Sequence, residues 1–197
     1  VATKMKDKPL PLRLSYSSSV YRHEELQRGN QREIAQAGIE LIGIDGPKAD
    51  GEVIVTAIEA LLELGLKNFK IDIGQVDYFK GLIDDADLSL EETEALRELI
   101  EDKNILGLSE FLEETSMKTS LKDIFLELPS LYGDIDILNS GYKNAINNRC
   151  RKAIENIREV YEIIDEYGLK DYISFDLGMI HSLDYYTGVI FRGFSHG

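Results

Sequence analysis

The stretch Leu12 to Gly43 reads LRLSYSSSVYRHEELQRGNQREIAQAGIELIG, two β-prone runs joined by a polar, charged link. Such runs around a turn-forming segment predict an antiparallel strand pair with a long connecting loop. In the first run Leu14, Tyr16, Ser18 and Val20 share one face, and Arg13, Ser15, Ser17, Ser19 and Tyr21 the other. The returning run mixes Glu33 and Ala35 with Ile34, so its apolar signal becomes clear only at Ile39, Leu41 and Ile42. The link from His23 to Asn30 is too charged to be core. Arg22, Arg28 and Arg32 stand near the strand ends beside Glu24 and Glu33, a set able to hold a ligand carrying both an anion and an ammonium. A solvated hairpin with surface ion pairs fits the same spacing.

Downstream, Asp45-Gly46-Pro47 is a turn, and Asp50 is the expected N-cap of a helix through Val53, Ile54, Ala57, Ile58, Leu61 and Leu62, stopped by Gly65. Phe69 to Ile73 alternates and predicts a strand with Phe69, Ile71 and Ile73 inward, joining the hairpin's sheet. From Val76 the pattern turns helical. Ser89 and Glu92 form a capping box before Leu96, Leu99 and Ile100, with further helices expected at Leu108 to Glu114 and Leu121 to Leu128. Ala145 to Tyr167 is the longest predicted helix, its stripe formed by Ile146, Cys150, Ala153, Ile157, Val160, Tyr161 and Ile164, with Gly168 as its stop. Strands are expected again at Tyr172 to Leu177 and Tyr185 to Phe191.

With 197 residues and 43% apolar content, the chain can bury a core of one or two domains. The single cysteine, Cys150, excludes a disulfide framework and a multi-cysteine metal site; on the helix stripe it reads as a small buried hydrophobe. No run of about 18 apolar residues is present, so a membrane span is not expected and a cytoplasmic setting is. The net charge of −14 disfavours nucleic-acid binding. Residues 84–115 hold twelve acids against Arg97 and Lys103, whereas residues 1–48 hold eight bases against six acids. The hairpin is thus locally basic, and the acidic helices read as a solvated face first and a protein-binding surface second. No metal site is expected, since no paired His or Cys cluster exists.

Two ordered segments carry a family resemblance. Tyr21-Arg22-His23-Glu24, followed by Gln27, Gly29, Arg32-Glu33, Gln36 and Glu40 to Gly43, resembles motif 2 of the histidyl branch of class II aminoacyl-tRNA synthetases. Phe175 to Gly188, reading FDLGMIHSLDYYTG, resembles the histidine-specific signature of the same branch. The resemblance implies an α+β fold with an antiparallel sheet of the class II synthetase type flanked by helices. Residues 1–82 would be the first part of that core, 83–143 a helical insertion and 144–197 the second part, with both ends of the core incomplete. It further implies that Arg22 and Glu24 correspond to the side chains that meet the α-phosphate and adenine. Gln36 and Glu40 correspond to those around the amino acid's ammonium, and Tyr186, with Tyr185 beside it, to the imidazole pocket. For Gln36, Glu40 and Tyr185, ordinary sheet-edge or core roles fit equally well.

The departures from that pattern carry as much information. Ile34 replaces the aromatic that stacks on adenine, Asn30 an arginine, and His181 the arginine of the histidine signature. A histidine is mostly neutral at pH 7 and offers one donor where arginine offers a charged fork. Losing one such preorganised charge costs about 2.7 to 4 kcal/mol in a reaction barrier. A pocket that keeps its amino-acid half while its phosphate half decays resembles the regulatory subunits of ATP phosphoribosyltransferase. That resemblance implies a non-catalytic protein without cofactor, required for the first step of histidine biosynthesis. It would bind a short-form catalytic subunit, sense histidine as effector and form a homodimer within a hetero-oligomer, with no use of tRNA. The alternative is a divergent histidyl-tRNA synthetase or adenylate-forming paralogue, for which Arg192 is the nearby candidate to replace the lost charge.

Overall fold

The hairpin forms as its sequence pattern requires: β1 (Leu12–Tyr21) pairs antiparallel with β2 (Glu33–Ile42), from Leu12 opposite Ile42 to Tyr21 opposite Glu33. The computed structural model describes residues 3–21, 33–180 and 186–195, so Arg22, Glu24, His181 and Tyr185 lie outside the described residues. After the hairpin, Gly46 at φ +89 turns the chain into α1 (Pro47–Glu63), with proline in the first turn where its missing N–H costs nothing. Asp50 is therefore not the N-cap. It sits one turn in, half-buried, and desolvation raises its carboxyl pKa. Gly65, at φ +85, ends the helix as expected.

The strand β3 (Phe69–Gln75) buries Phe69, Ile71 and Ile73 but does not join the hairpin. Both of its edges are taken. β5 (Ile173–Asp176) lies parallel on one side and β6 (Val189–Ser195) antiparallel on the other, with the two-residue β4 (Tyr132–Gly133) beyond β5. The described residues are thus α+β with a two-stranded and a four-stranded sheet, ordered β4-β5-β3-β6 in the second. Every residue of β3 except Lys70 is buried, as befits a strand covered on both faces.

Helices α2 (Val76–Ile83), α3 (Leu90–Glu101), α4 (Ile105–Glu114), α5 (Thr119–Glu127) and α6 (Ile137–Lys143) fill the chain between β3 and α7 (Asn148–Glu166). The Ser89–Glu92 capping box opens α3. α7 begins later than its apolar pattern predicts, because Asn147 accepts the Cys150 amide at 3.0 Å and caps it there. Ile146 is left outside the helix and exposed, while Ile154 joins the buried stripe. Likewise β6 starts at Val189, so Tyr186 precedes the strand instead of lying in it. The buried residues of the acidic helices, Leu96, Ile100, Leu108, Leu112 and Phe125, belong to the same apolar cluster as Ile54, Ile73 and Ile157. Among the described residues no helix is long and apolar enough to cross a membrane.

Candidate functional site

The hairpin register places Glu40 opposite Leu14, Gly38 opposite Tyr16 and Gln36 opposite Ser18, so Gln36 and Glu40 share one face with Tyr16. The Tyr16 ring lies across Gly38: a Cβ there would stand 2.5 Å from its Cζ atom. Glycine thereby lets the tyrosine reach along the partner strand, where Gln36 Nε2 donates to its hydroxyl at 2.5 Å. The opposite face holds the tie to the helical body. Arg13 donates to both carboxylate oxygens of Glu52 on α1, at 2.5 and 2.8 Å, which lowers the pKa of Glu52 and raises that of Arg13.

On the four-stranded sheet, the register Ser174–Asp72–Arg192 puts three polar side chains on one face. Asp72, Ser174 and Asp176 are 5%, 5% and 7% exposed, a degree of burial that requires hydrogen-bond partners. Ser174 Oγ donates to Asp72 Oδ1, and the amide of Gly178 donates to Asp176 Oδ1 at 2.9 Å. The other oxygen of Asp176 accepts from Lys103 Nζ at 3.4 Å. Lys103 arrives from the turn between α3 and α4, held at φ +52, with its ammonium 5.1 Å from the centre of the Tyr132 ring. Between these groups opens a cleft of about 460 Å³, walled by Lys103, Asp176, Met179, Ile190, Phe191 and Arg192. The Arg192 guanidinium lies 5.4 Å from the Phe194 ring centre.

Tyr186 adjoins this cleft. It packs on Val76, Met179 and Ile190, the last two being cleft walls, and its carbonyl accepts from Lys80 Nζ at 3.3 Å. Gly74 makes the crossing possible, since a Cβ on it would meet the Asp176 carbonyl at 2.9 Å and Met179 Cβ at 3.0 Å. Of the expected site residues, Gln36 and Glu40 thus share the hairpin face and do not line the cleft, Tyr186 packs beside the cleft just before β6, and Arg22, Glu24 and Tyr185 are outside the described residues.

Sequence reading missed Asp72, Ser174, Asp176 and Lys103. The two acids are the lone carboxylates of their strands, a feature that reads equally as a solvent-facing position; Lys103 had no signal. Among the described residues no group of three or more His, Cys, Asp or Glu side chains is placed to hold a metal ion.

The family model for histidyl-tRNA synthetase matches residues 1–197. The chain belongs to that family. Within it, this histidyl-tRNA synthetase-like chain is 50% identical over 196 residues to an ATP phosphoribosyltransferase regulatory subunit of Acetivibrio thermocellus. It is 48% identical over 199 residues to one of Clostridium kluyveri. All of this chain is covered in both cases, but only 47% and 51% of the relatives, so it spans about half their length. The crystal structure of an ATP phosphoribosyltransferase regulatory subunit/histidyl-tRNA synthetase from Bacillus halodurans superposes with a TM-score of 0.90 at 34% identity. That match covers 98% of this chain and 50% of the other. The class II synthetase character expected from the two motifs is therefore the fold observed.

Proposed function

We propose that this chain is part of a regulatory subunit of ATP phosphoribosyltransferase that performs no chemistry itself. In this reading it supports a short-form catalytic subunit at the first step of histidine biosynthesis and reports histidine to it. The support is the 50% identity, over the whole chain, to a protein of that name. His181, standing where the synthetase pattern has an arginine, agrees with it, because an imidazole lacks the permanent, forked charge that an arginine offers to adenylate formation. Residues 1–82 and 144–197 then form the synthetase-like core and 83–143 its insertion, with Arg22, Glu24, Gln36, Glu40, Tyr185 and Tyr186 around the effector. The assembly is a homodimer within a cytoplasmic hetero-oligomer. Control follows from histidine preferring one of its states.

The test uses the full-length parent protein. Condensation of ATP with phosphoribosyl pyrophosphate by a short catalytic subunit is measured with and without it, then with histidine added. Stimulation reversed by histidine is the expected result, and absence of stimulation overturns the reading. The placement of Arg192 in the cleft favours one alternative, a divergent adenylate-forming enzyme. Histidine-dependent exchange of pyrophosphate into ATP would establish that instead.

A further inference from the structure

The cleft beside Tyr186 is lined by both cations and acids. Lys103 and Arg192 supply the positive charges, and Glu101, Asp102 and Asp176 the negative ones, against an apolar wall of Met179 and Ile190. That pattern suits a zwitterion with a flat side chain, its carboxylate toward the cations and its ring toward Tyr186. Lys103, with Glu101 and Asp102 just before it, differs from the other cleft residues in origin. It does not come from the sheet but from the helical segment between β3 and α7, on a turn whose positive φ a lysine adopts only where its surroundings hold it. Its side chain is half-exposed, and the Asp176 contact at 3.4 Å is long for a charged pair and uses one of three ammonium donors. Asp176 itself is fixed through its other oxygen by the Gly178 amide, so in this pair the lysine is the member able to turn toward a ligand.

We propose that Lys103 and Arg192 receive the carboxylate of an α-amino acid bound in this cleft, so that the helical segment touches the ligand directly and reports its presence. The inference rests on reading the chain as part of a histidine-binding regulatory subunit. A ligand carboxylate draws Lys103 away from Asp176 and takes the α3–α4 turn with it. Occupancy of the sheet is thereby converted into a displacement of the acidic helices.

The test is calorimetric titration of the full-length parent with L-histidine and with L-histidinol, which keeps the imidazole and ammonium but lacks the carboxylate. Lys103→Ala and Arg192→Ala should each weaken histidine binding about 10- to 100-fold, the size of a lost charge-assisted hydrogen bond, and leave histidinol binding within about threefold. Lys103→Arg should restore most of the loss. Amides of residues 101–104 should exchange more slowly with histidine present in the parent and not in Lys103→Ala. Equal weakening for both ligands in both variants, or unchanged histidine affinity in both, overturns the proposal. So does a parent that binds no histidine, yet stimulation of the catalytic subunit, a separate readout, would then still support the regulatory role.

Discussion

The hairpin and the four-stranded sheet carry the expected site residues on scaffolds of opposite kinds. Strand β3 is buried along all but one residue and clasped by a strand on each edge. In the hairpin, by contrast, Tyr16, Ile34 and Ile39 are exposed, and its side chains bind the body through the Arg13–Glu52 pair. Side chains on β3 and β5 are thus positioned by packing, whereas β6 is exposed from Phe191 onward and held by its register with β3, and β1 and β2 rely on strand register and a few polar contacts. Precision in the first region is a product of the core. In the second it depends on local devices such as Gly38, and is separable from overall stability.

The largest blow to the body should come from Phe125→Ala. This side chain is fully buried and packs edge-on to Phe79, so its loss should cost about 3 to 5 kcal/mol in denaturant unfolding, with the hairpin register unchanged by NMR. Next is alkaline pH. Burial pushes the Cys150 thiol up to about 11 from an ordinary value near 9.0. Between those values the unfolded chain loses the proton that the folded chain keeps, so stability is intact below about pH 9 and falls as pH rises toward 11. Cys150→Ala should flatten that part of the profile, and alkylation of the native thiol should remain slow at pH 8. A smaller effect belongs to the hairpin. Gly38→Ala displaces the Tyr16 ring and breaks its bond to Gln36, changing stability by about 0.5 kcal/mol or less while weakening ligand binding by the full-length protein. Arg13→Ala should change least, leaving the melting temperature in place and raising amide exchange in β1 alone. A hairpin that unfolds the body when altered would abolish the contrast.

Periodicity and punctuation made much of this visible in the sequence. The paired runs gave the hairpin and its faces, the Ser89–Glu92 box gave the start of α3, and Gly65 and Gly168 marked helix ends with positive φ. Strand partnership was not legible, because alternation tells which residues of Phe69–Gln75 turn inward but not which edge meets which neighbour. The motifs named Gln36, Glu40 and Tyr186 as candidates and passed over Asp72 and Asp176, since a carboxylate in a strand reads as solvent-facing until a serine hydroxyl or a lysine is seen beside it. Lys103 joins the cleft through a backbone conformation at a turn, and nothing in the local letters announces it.

The parallel neighbours Asp72 and Ser174 are 102 residues apart, and the Ser195 hydroxyl returns to Asn68 across 127. Closing such spans is slow, because entropy must be lost before any pairing repays it. On the ribosome, then, the hairpin and the capped helices have their partners early, while β3 waits for β5 and β6, with Ser174 lying 102 residues beyond Asp72. The face bearing Asp72, Asp176 and Arg192 therefore comes into existence later than the hairpin, and a nascent chain stalled before β5 has no cleft to occupy.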